Sequence, residues 1–159
     1  MKKLAKKKLK DWVLDVVEAA GFEDALYMGT DRFGMPWISG GACLISRDFL
    51  RYGLLFSRKG FGVGNRKVGS SEFFNQTLKN KGTKYMELSK NKFLYYSNSL
   101  MISENVIGHS GYGGQFLAVN LKTGNVAAFF SVIETKSATK EDYKIDMINM
   151  LIDVVNSKY

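Results

Sequence analysis

One cysteine, one histidine and one proline are all that the 159 residues hold of those three types. A single cysteine excludes a disulfide framework within the chain. One histidine with one cysteine cannot furnish the ligand set of an ordinary zinc site, and nothing in the sequence calls for another cofactor. No uninterrupted apolar run approaches the roughly 18 residues that a membrane-spanning helix requires. Internal repeats, low-complexity tracts and proline-rich linkers are missing as well. What is present is a globular composition, 45% hydrophobic, 13% aromatic and 24% charged. It is too apolar for intrinsic disorder, and the length suits one domain or part of a larger one.

Lysine and arginine number 23 against 15 acidic residues, a net charge of +8. Six of those lysines, Lys2, Lys3, Lys6, Lys7, Lys8 and Lys10, sit in the first ten residues. The remainder of the chain carries 17 basic and 15 acidic side chains, a balance of +2. The basicity therefore belongs to the N-terminus. MKKLAKKKLK resembles the front of a signal peptide, but the segment behind it carries Asp11, Asp15 and Glu18 where an apolar core should stand. No export signal is expected, and a cytoplasmic location follows only if Met1 is the true start. Leu9, Trp12, Val13, Val16, Val17 and Ala20 recur at helical spacing before Gly21, with the lysines on the other face. A solvated helix face explains that lysine run better than a nucleic-acid or membrane patch.

Between residues 22 and 45 no period emerges, and five glycines and prolines interrupt the chain (Gly29, Gly34, Pro36, Gly40, Gly41). A helix is expected from Ser46, whose hydroxyl can cap the first turn while Asp48 complements the dipole. Residues 57–69 read as a basic, glycine-rich loop and Ser70 to Asn80 as another helix. Four strands follow, at Phe93 to Ile102, Val106 to Tyr112, Gln115 to Leu121 and Val126 to Ile133. The short link Lys122-Thr123-Gly124-Asn125 makes the last two antiparallel neighbours. Val126 to Ile133 is apolar almost throughout, which calls for helices on both faces of the sheet. Thr139 and Asp142 approximate a capping box before a final helix. The outline is one domain: a basic amphipathic helix (1–20), an irregular and helical segment (21–91), antiparallel strands (92–133) and a C-terminal helix (139–157). Its class is α/β of the α+β type, with about three to four antiparallel strands.

Gly60-Phe-Gly62-Val-Gly64 lacks the strand, helix and spacing of a dinucleotide loop and reads as surface loop. Cys43 and His109 could pair as nucleophile and base, but Cys43 lies in the apolar run Ala-Cys-Leu-Ile, where an inert buried thiol is the default. Gly108-His109-Ser110-Gly111-Tyr112-Gly113-Gly114-Gln115 carries four glycines in its first seven residues, between two apolar strands. Glycine there lets another group approach the backbone. Bare amides on an edge strand can then bind a carbonyl oxygen as it gains charge. A glycine-rich bulge or wide hairpin turn accounts for the same residues equally well.

His109-Ser110-Gly111, followed by two apolar strands, resembles the C-terminal part of the β-lactamase-related serine hydrolases. That superfamily embraces class C β-lactamases, penicillin-binding DD-peptidases, esterases and 6-aminohexanoate-dimer hydrolases, and a Lys-Thr-Gly or His-x-Gly strand lines its active site. A second stretch is similar to the family in order and spacing: Asp24-Ala25-Leu26, Thr30 to Gly34, Gly40-Gly41, and Ser46-Arg47-Asp48-Phe49-Leu50-Arg51-Tyr52-Gly53. The likeness runs from about Gly21 to the end, nearest to the aminohexanoate-dimer-hydrolase branch.

The resemblance implies the C-terminal half of a serine β-lactamase-like fold and a small amide or ester substrate. It implies substrate orientation or an electrostatic role for His109, an oxyanion-binding backbone amide at Tyr112, and substrate contacts at Ser110, Gly111 and Gly113. The family's Ser-x-x-Lys nucleophile and Tyr-x-Asn loop belong upstream of the Gly-Gly stretch, where this sequence has no room for them. Ser89-Lys90-Asn91-Lys92, Tyr96-Ser97-Asn98 and Lys122-Thr123-Gly124 spell the motifs literally but in the wrong places. The expectation is a fragment that is catalytically silent alone and open to self-association along the apolar edge of its last strand.

Overall fold

Apolar residues in alternation build the centre of the molecule, and helices cover both sides of it. The computed structural model describes residues 7–79, 82–84, 95–111, 113–132 and 142–158. The order is α1 (Leu9–Ala20), β1 (Tyr27–Met28), β2 (Ala42–Cys43), α2 (Ser46–Ser57), α3 (Ser71–Lys79), β3 (Thr83–Lys84), β4 (Tyr95–Ser97), β5 (Leu100–Ser103), β6 (Val106–Ser110), β7 (Gln115–Asn120), β8 (Val126–Phe130) and α4 (Asp142–Asn156). β3 to β8 form one antiparallel sheet in sequence order, and β1 pairs with β2 in a separate two-stranded sheet.

The sheet has more strands than the sequence suggests, because the apolar run ending at Ile102 folds back on itself. Asn98 and Ser99 both adopt left-handed backbone, with φ of 51° and 62°, and Ser97 pairs with Leu100 across them. Two consecutive positive φ values are what a two-residue hairpin of the I′ type requires. The expected single strand is thus a hairpin, β4 and β5, and β3 adds a sixth strand outside them. The stretch before α2 is likewise not wholly irregular, since it contains β1 and β2.

Period-two alternation divides the sheet residues between two cores. Met101, Val106, Phe116 and Ala118 face α4 and pack with Ile148, Leu151, Ile152 and Val155. Leu100, Ile102, Ile107, Leu117 and Val119 face the other way, onto Phe49, Tyr52 and Phe56 of α2 and Phe74 of α3. Each fully buried valine, leucine, isoleucine, methionine or phenylalanine among them contributes about 1.5–3 kcal/mol. β8 lies at the sheet margin with α2 against one face and α4 against the other, the two-sided cover its composition demands.

Several helix ends follow local chemistry. Gly21 stops α1 in left-handed backbone (φ 71°, ψ 46°), donating to Val17 and Glu18 carbonyls. The Ser70 hydroxyl accepts the Phe73 amide at 3.1 Å and opens α3. Ser46, however, lies inside α2: the residue at the cap is Ile45, which makes no side-chain bond. Thr139 of the expected capping box falls outside the described residues. The C-terminus of α4 is stitched to the β7–β8 hairpin by side-chain amides. Asn120 Nδ2 donates to Asn156 Oδ1 at 2.7 Å, and Asn125 Nδ2 donates to the Val155 carbonyl at 3.1 Å.

Candidate functional site

α2 carries the residues that place His109. Asp48 is fully buried, and its carboxylate accepts the amides of Glu23 at 3.1 Å and Asp24 at 3.0 Å and a guanidinium N–H of Arg51 at 2.7 Å. Burial alone would raise its pKa. The amide of Glu23, Arg51 and the amide of Asp24 outweigh that and leave the carboxyl below its usual range. Arg51 also pairs with Glu23. Asp48 and Arg51 therefore clamp the chain leaving α1 against α2, while Asp48 also stands in the first turn of α2, where it complements the dipole as expected. Gly53 lies against the sheet: a Cβ there would come within 2.5 Å of Val126 Cγ1 and 2.9 Å of Leu117 Cδ1. Its lack of a side chain sets how closely α2 approaches β7 and β8.

That approach brings Tyr52 and Phe56 over β6. The His109 ring lies 5.9 Å from each, near-parallel to Tyr52 and edge-on to Phe56, and Tyr52 Oη is 3.5 Å from Nε2. Burial pushes the imidazole pKa down and the Tyr52 phenol up to about 12. Both groups are accordingly neutral at pH 7. Tyr52 Oη and Nε2 are placed to share one hydrogen bond, whose direction the ring tautomer sets. The space bounded by Phe56, Leu100, Ile107, Gly108, His109, Leu117 and Val119 is too narrow for a water molecule. Tyr52 and Phe56 were not singled out in the sequence as partners of His109. Only the spacing of Tyr52 within its helix marks it, four residues after a buried aspartate.

β6 is not an edge strand: it is paired on both sides, with β5 and β7. Its pairing with β5 stops at Met101–Gly108, whereas the pairing with β7 continues through Ser110–Phe116. The Gly111 amide then donates to the Gln115 carbonyl at 2.6 Å. By the alternation of an antiparallel ladder, Ser110 directs its N–H and C=O away from β7, on the side where β5 has ended. The expected margin thus shrinks from a whole strand to its last residues. Ser110 Oγ is buried on the α4 face without a hydrogen-bond partner among the described residues. Tyr112 lies outside the described residues. Gly111 and Gly113 sit beneath the Gln115 side chain, whose atoms a Cβ would meet at 2.5 Å and 2.9 Å.

The rival motifs find other uses. Gly62 presses on the Ala19 backbone, where a Cβ would come within 2.1 Å of the carbonyl oxygen, and Gly60 packs on Gly69. That loop is packing, with no phosphate cradle. Cys43 is exposed on β2, contrary to the buried thiol expected, and among the described residues nothing links it to His109. Asn98 donates to Thr77 Oγ1 at 2.8 Å from its hairpin turn, so it does not share a strand face with Tyr96. Lys122-Thr123-Gly124 forms the β7–β8 turn, with Gly124 at φ 84°. Ser89 to Lys92 lie outside the described residues. Among the described residues no cluster of three metal-ligating side chains occurs, and no helix is long and apolar enough to cross a membrane.

No family model matches the chain, and no curated protein matches it in sequence. Among solved structures it is similar to the "putative beta-lactamase from Bacteroides dorei DSM 17855", with a TM-score of 0.54 and 18% identity. The match covers 91% of this chain and 50% of that one, so the chain spans about half the length of its structural neighbour. The fold is β-lactamase-like.

Proposed function

We propose that this chain is the oxyanion-binding half of a β-lactamase-related serine hydrolase that cleaves amide or ester bonds. The observation that carries the reading is the end of β6. His109-Ser110 outruns β5 and leads into Gly111-Tyr112-Gly113, in a fold that is β-lactamase-like. In such a reaction a serine hydroxyl oxygen adds to the substrate carbonyl carbon and the amine or alcohol leaves with a proton. Water then releases the acyl group. Backbone amides beside Gly111 would stabilise the negative oxygen of each tetrahedral intermediate, the Tyr112 amide foremost. His109, held neutral by burial, would orient the substrate or shape the local field without taking a proton at pH 7. The attacking serine and its lysine would come from polypeptide outside this sequence, because oxyanion donors without a positioned nucleophile give no turnover.

Two measurements test this. The coding sequence upstream of Met1 is expected to hold an in-frame Ser-x-x-Lys motif. The purified chain is expected to leave a p-nitrophenyl ester hydrolysing at the buffer rate. Ester turnover that disappears in Ser89→Ala would overturn the reading. A second reading, a non-catalytic binding or regulatory module of the same fold, draws on the packing around His109. The half-buried ring packs on Tyr52 and Phe56, and the space on its core side does not admit a water molecule. An upstream region that is a promoter and lacks the motif would favour it.

A further inference from the structure

The group that comes closest to the glycines after β6 is the side chain of Gln115. A Cβ on Gly111 would stand 2.5 Å from Gln115 Oε1, and one on Gly113 would stand 2.9 Å from Nε2. The two glycines thus make room for a carboxamide laid across the turn that β6 runs into. The strand pairing holds it there, because the Gly111 amide donates to the Gln115 backbone carbonyl at 2.6 Å. Among the described residues the carboxamide itself makes no hydrogen bond. Nor is it sealed off, since Ser110 Oγ is the one side-chain polar atom among them both enclosed and unpartnered. Buried polar groups are ordinarily paired, and a half-buried carboxamide left open has a donor and an acceptor in hand for a further partner.

Register fixes what stands beside it. Gln115 shares the alternation of Leu117 and Val119, which face α2. Phe130 lies directly opposite on β8, and its ring packs on Phe49 of α2 with centroids 5.4 Å apart. His109 lies opposite Leu117, which makes it the diagonal neighbour of Gln115 on β6, about 7–8 Å away. The ends of β6, β7 and β8 therefore present an imidazole, a carboxamide and a phenyl ring in one row on the α2 side of the sheet. With His109 neutral, the row itself offers no charge to a ligand.

We infer that this row is a subsite for an uncharged acylamino group, with Gln115 bonded to its amide and Phe130 packed against the substituent that the amide carries. The carboxamide meets the amide with its NH2 on the C=O or its oxygen on the N–H. The inference rests on the reading of the β6 end as a carbonyl-binding margin. It narrows the substrate from amides and esters in general to molecules with a neutral amide beside the bond that is cleaved. An ester in the same place lacks the N–H and is the weaker acceptor, so the carboxamide loses part of its partner. A carboxylate gives up its hydration and finds no opposite charge in the row.

Nuclear magnetic resonance titration of the isotope-labelled full chain tests it without any turnover, with acetanilide as the amide, phenyl acetate as the ester and benzoate as the carboxylate. Acetanilide is expected to bind with a Kd of roughly 10 mM or tighter, the range for a ligand of about ten non-hydrogen atoms. It should shift the side-chain NH2 of Gln115 and the backbone amides of Gly111 and Gly113. Phenyl acetate and benzoate should bind about fivefold more weakly, the worth of one net hydrogen bond. The Q115L variant, with its far-ultraviolet circular dichroism unchanged, should bind acetanilide and phenyl acetate alike. No shift at about 30 mM acetanilide, several times that Kd, would overturn the inference. So would shifts confined to another part of the chain, a preference that survives in Q115L, or equal wild-type affinity for acetanilide and phenyl acetate, a readout that needs no variant. A coding sequence without an upstream Ser-x-x-Lys would instead remove the hydrolase reading and leave a measured amide subsite standing.

Discussion

Asp48 shows how one buried charge can hold a loop in place. Its carboxylate serves two loop amides and Arg51, and removing it deprives both amides of this acceptor and leaves Arg51 with Glu23 alone. Asp48→Ala should cost about 3 kcal/mol, read as a lowered denaturant midpoint. At Gly53 two effects compete. Alanine gains roughly 1 kcal/mol in helix propensity but overpacks against Val126 and Leu117 at about 1–3 kcal/mol. Gly53→Ala should therefore destabilise the protein in thermal melts. His109 titrates less readily folded than unfolded, so the unfolded chain gains a proton first as the pH falls. Stability should decline from about pH 6.5 downward until the folded imidazole protonates, and His109→Gln should flatten that slope in melts between pH 8 and 5. Asp48, with its lowered pKa, gives up its share only below about pH 4.

At the scale of elements, the hairpin at Asn98-Ser99 explains what the sequence conceals. The run to Ile102 is apolar on both sides of the turn, and the turn lacks the glycine that announces a I′ hairpin. Ser99→Gly should relieve the left-handed serine and raise stability by about 0.5–1 kcal/mol, measured by urea unfolding. The β7–β8 hairpin was legible because Lys-Thr-Gly-Asn is short and ends in turn residues. α1 was legible because its period and its Gly21 stop agree. The helix cover on both faces of β8 could be read from an unbroken apolar strand. Neither the Asp48 clamp nor the Tyr52–His109 contact could be read so. Both join residues far apart in sequence, and a buried aspartate leaves the same local signature as a first-turn acid on a solvated helix. The glycines at 60 and 62 mimic a phosphate loop because close backbone packing and anion binding both demand a missing Cβ.

For the whole molecule, a six-stranded sheet with helices on both faces accounts for half of a β-lactamase-like architecture. It brings forward a candidate carbonyl-binding strand end, and the proposed chemistry requires a serine from elsewhere. That division of labour is the central claim, and a fluorophosphonate probe addresses it most directly, since an activated serine displaces its fluoride and becomes phosphonylated whatever the natural substrate. After incubation of the purified chain with the probe, intact-protein mass spectrometry should find the mass unchanged. A stoichiometric adduct mapping to Ser89, or to any other serine of the 159 residues, would contradict the account.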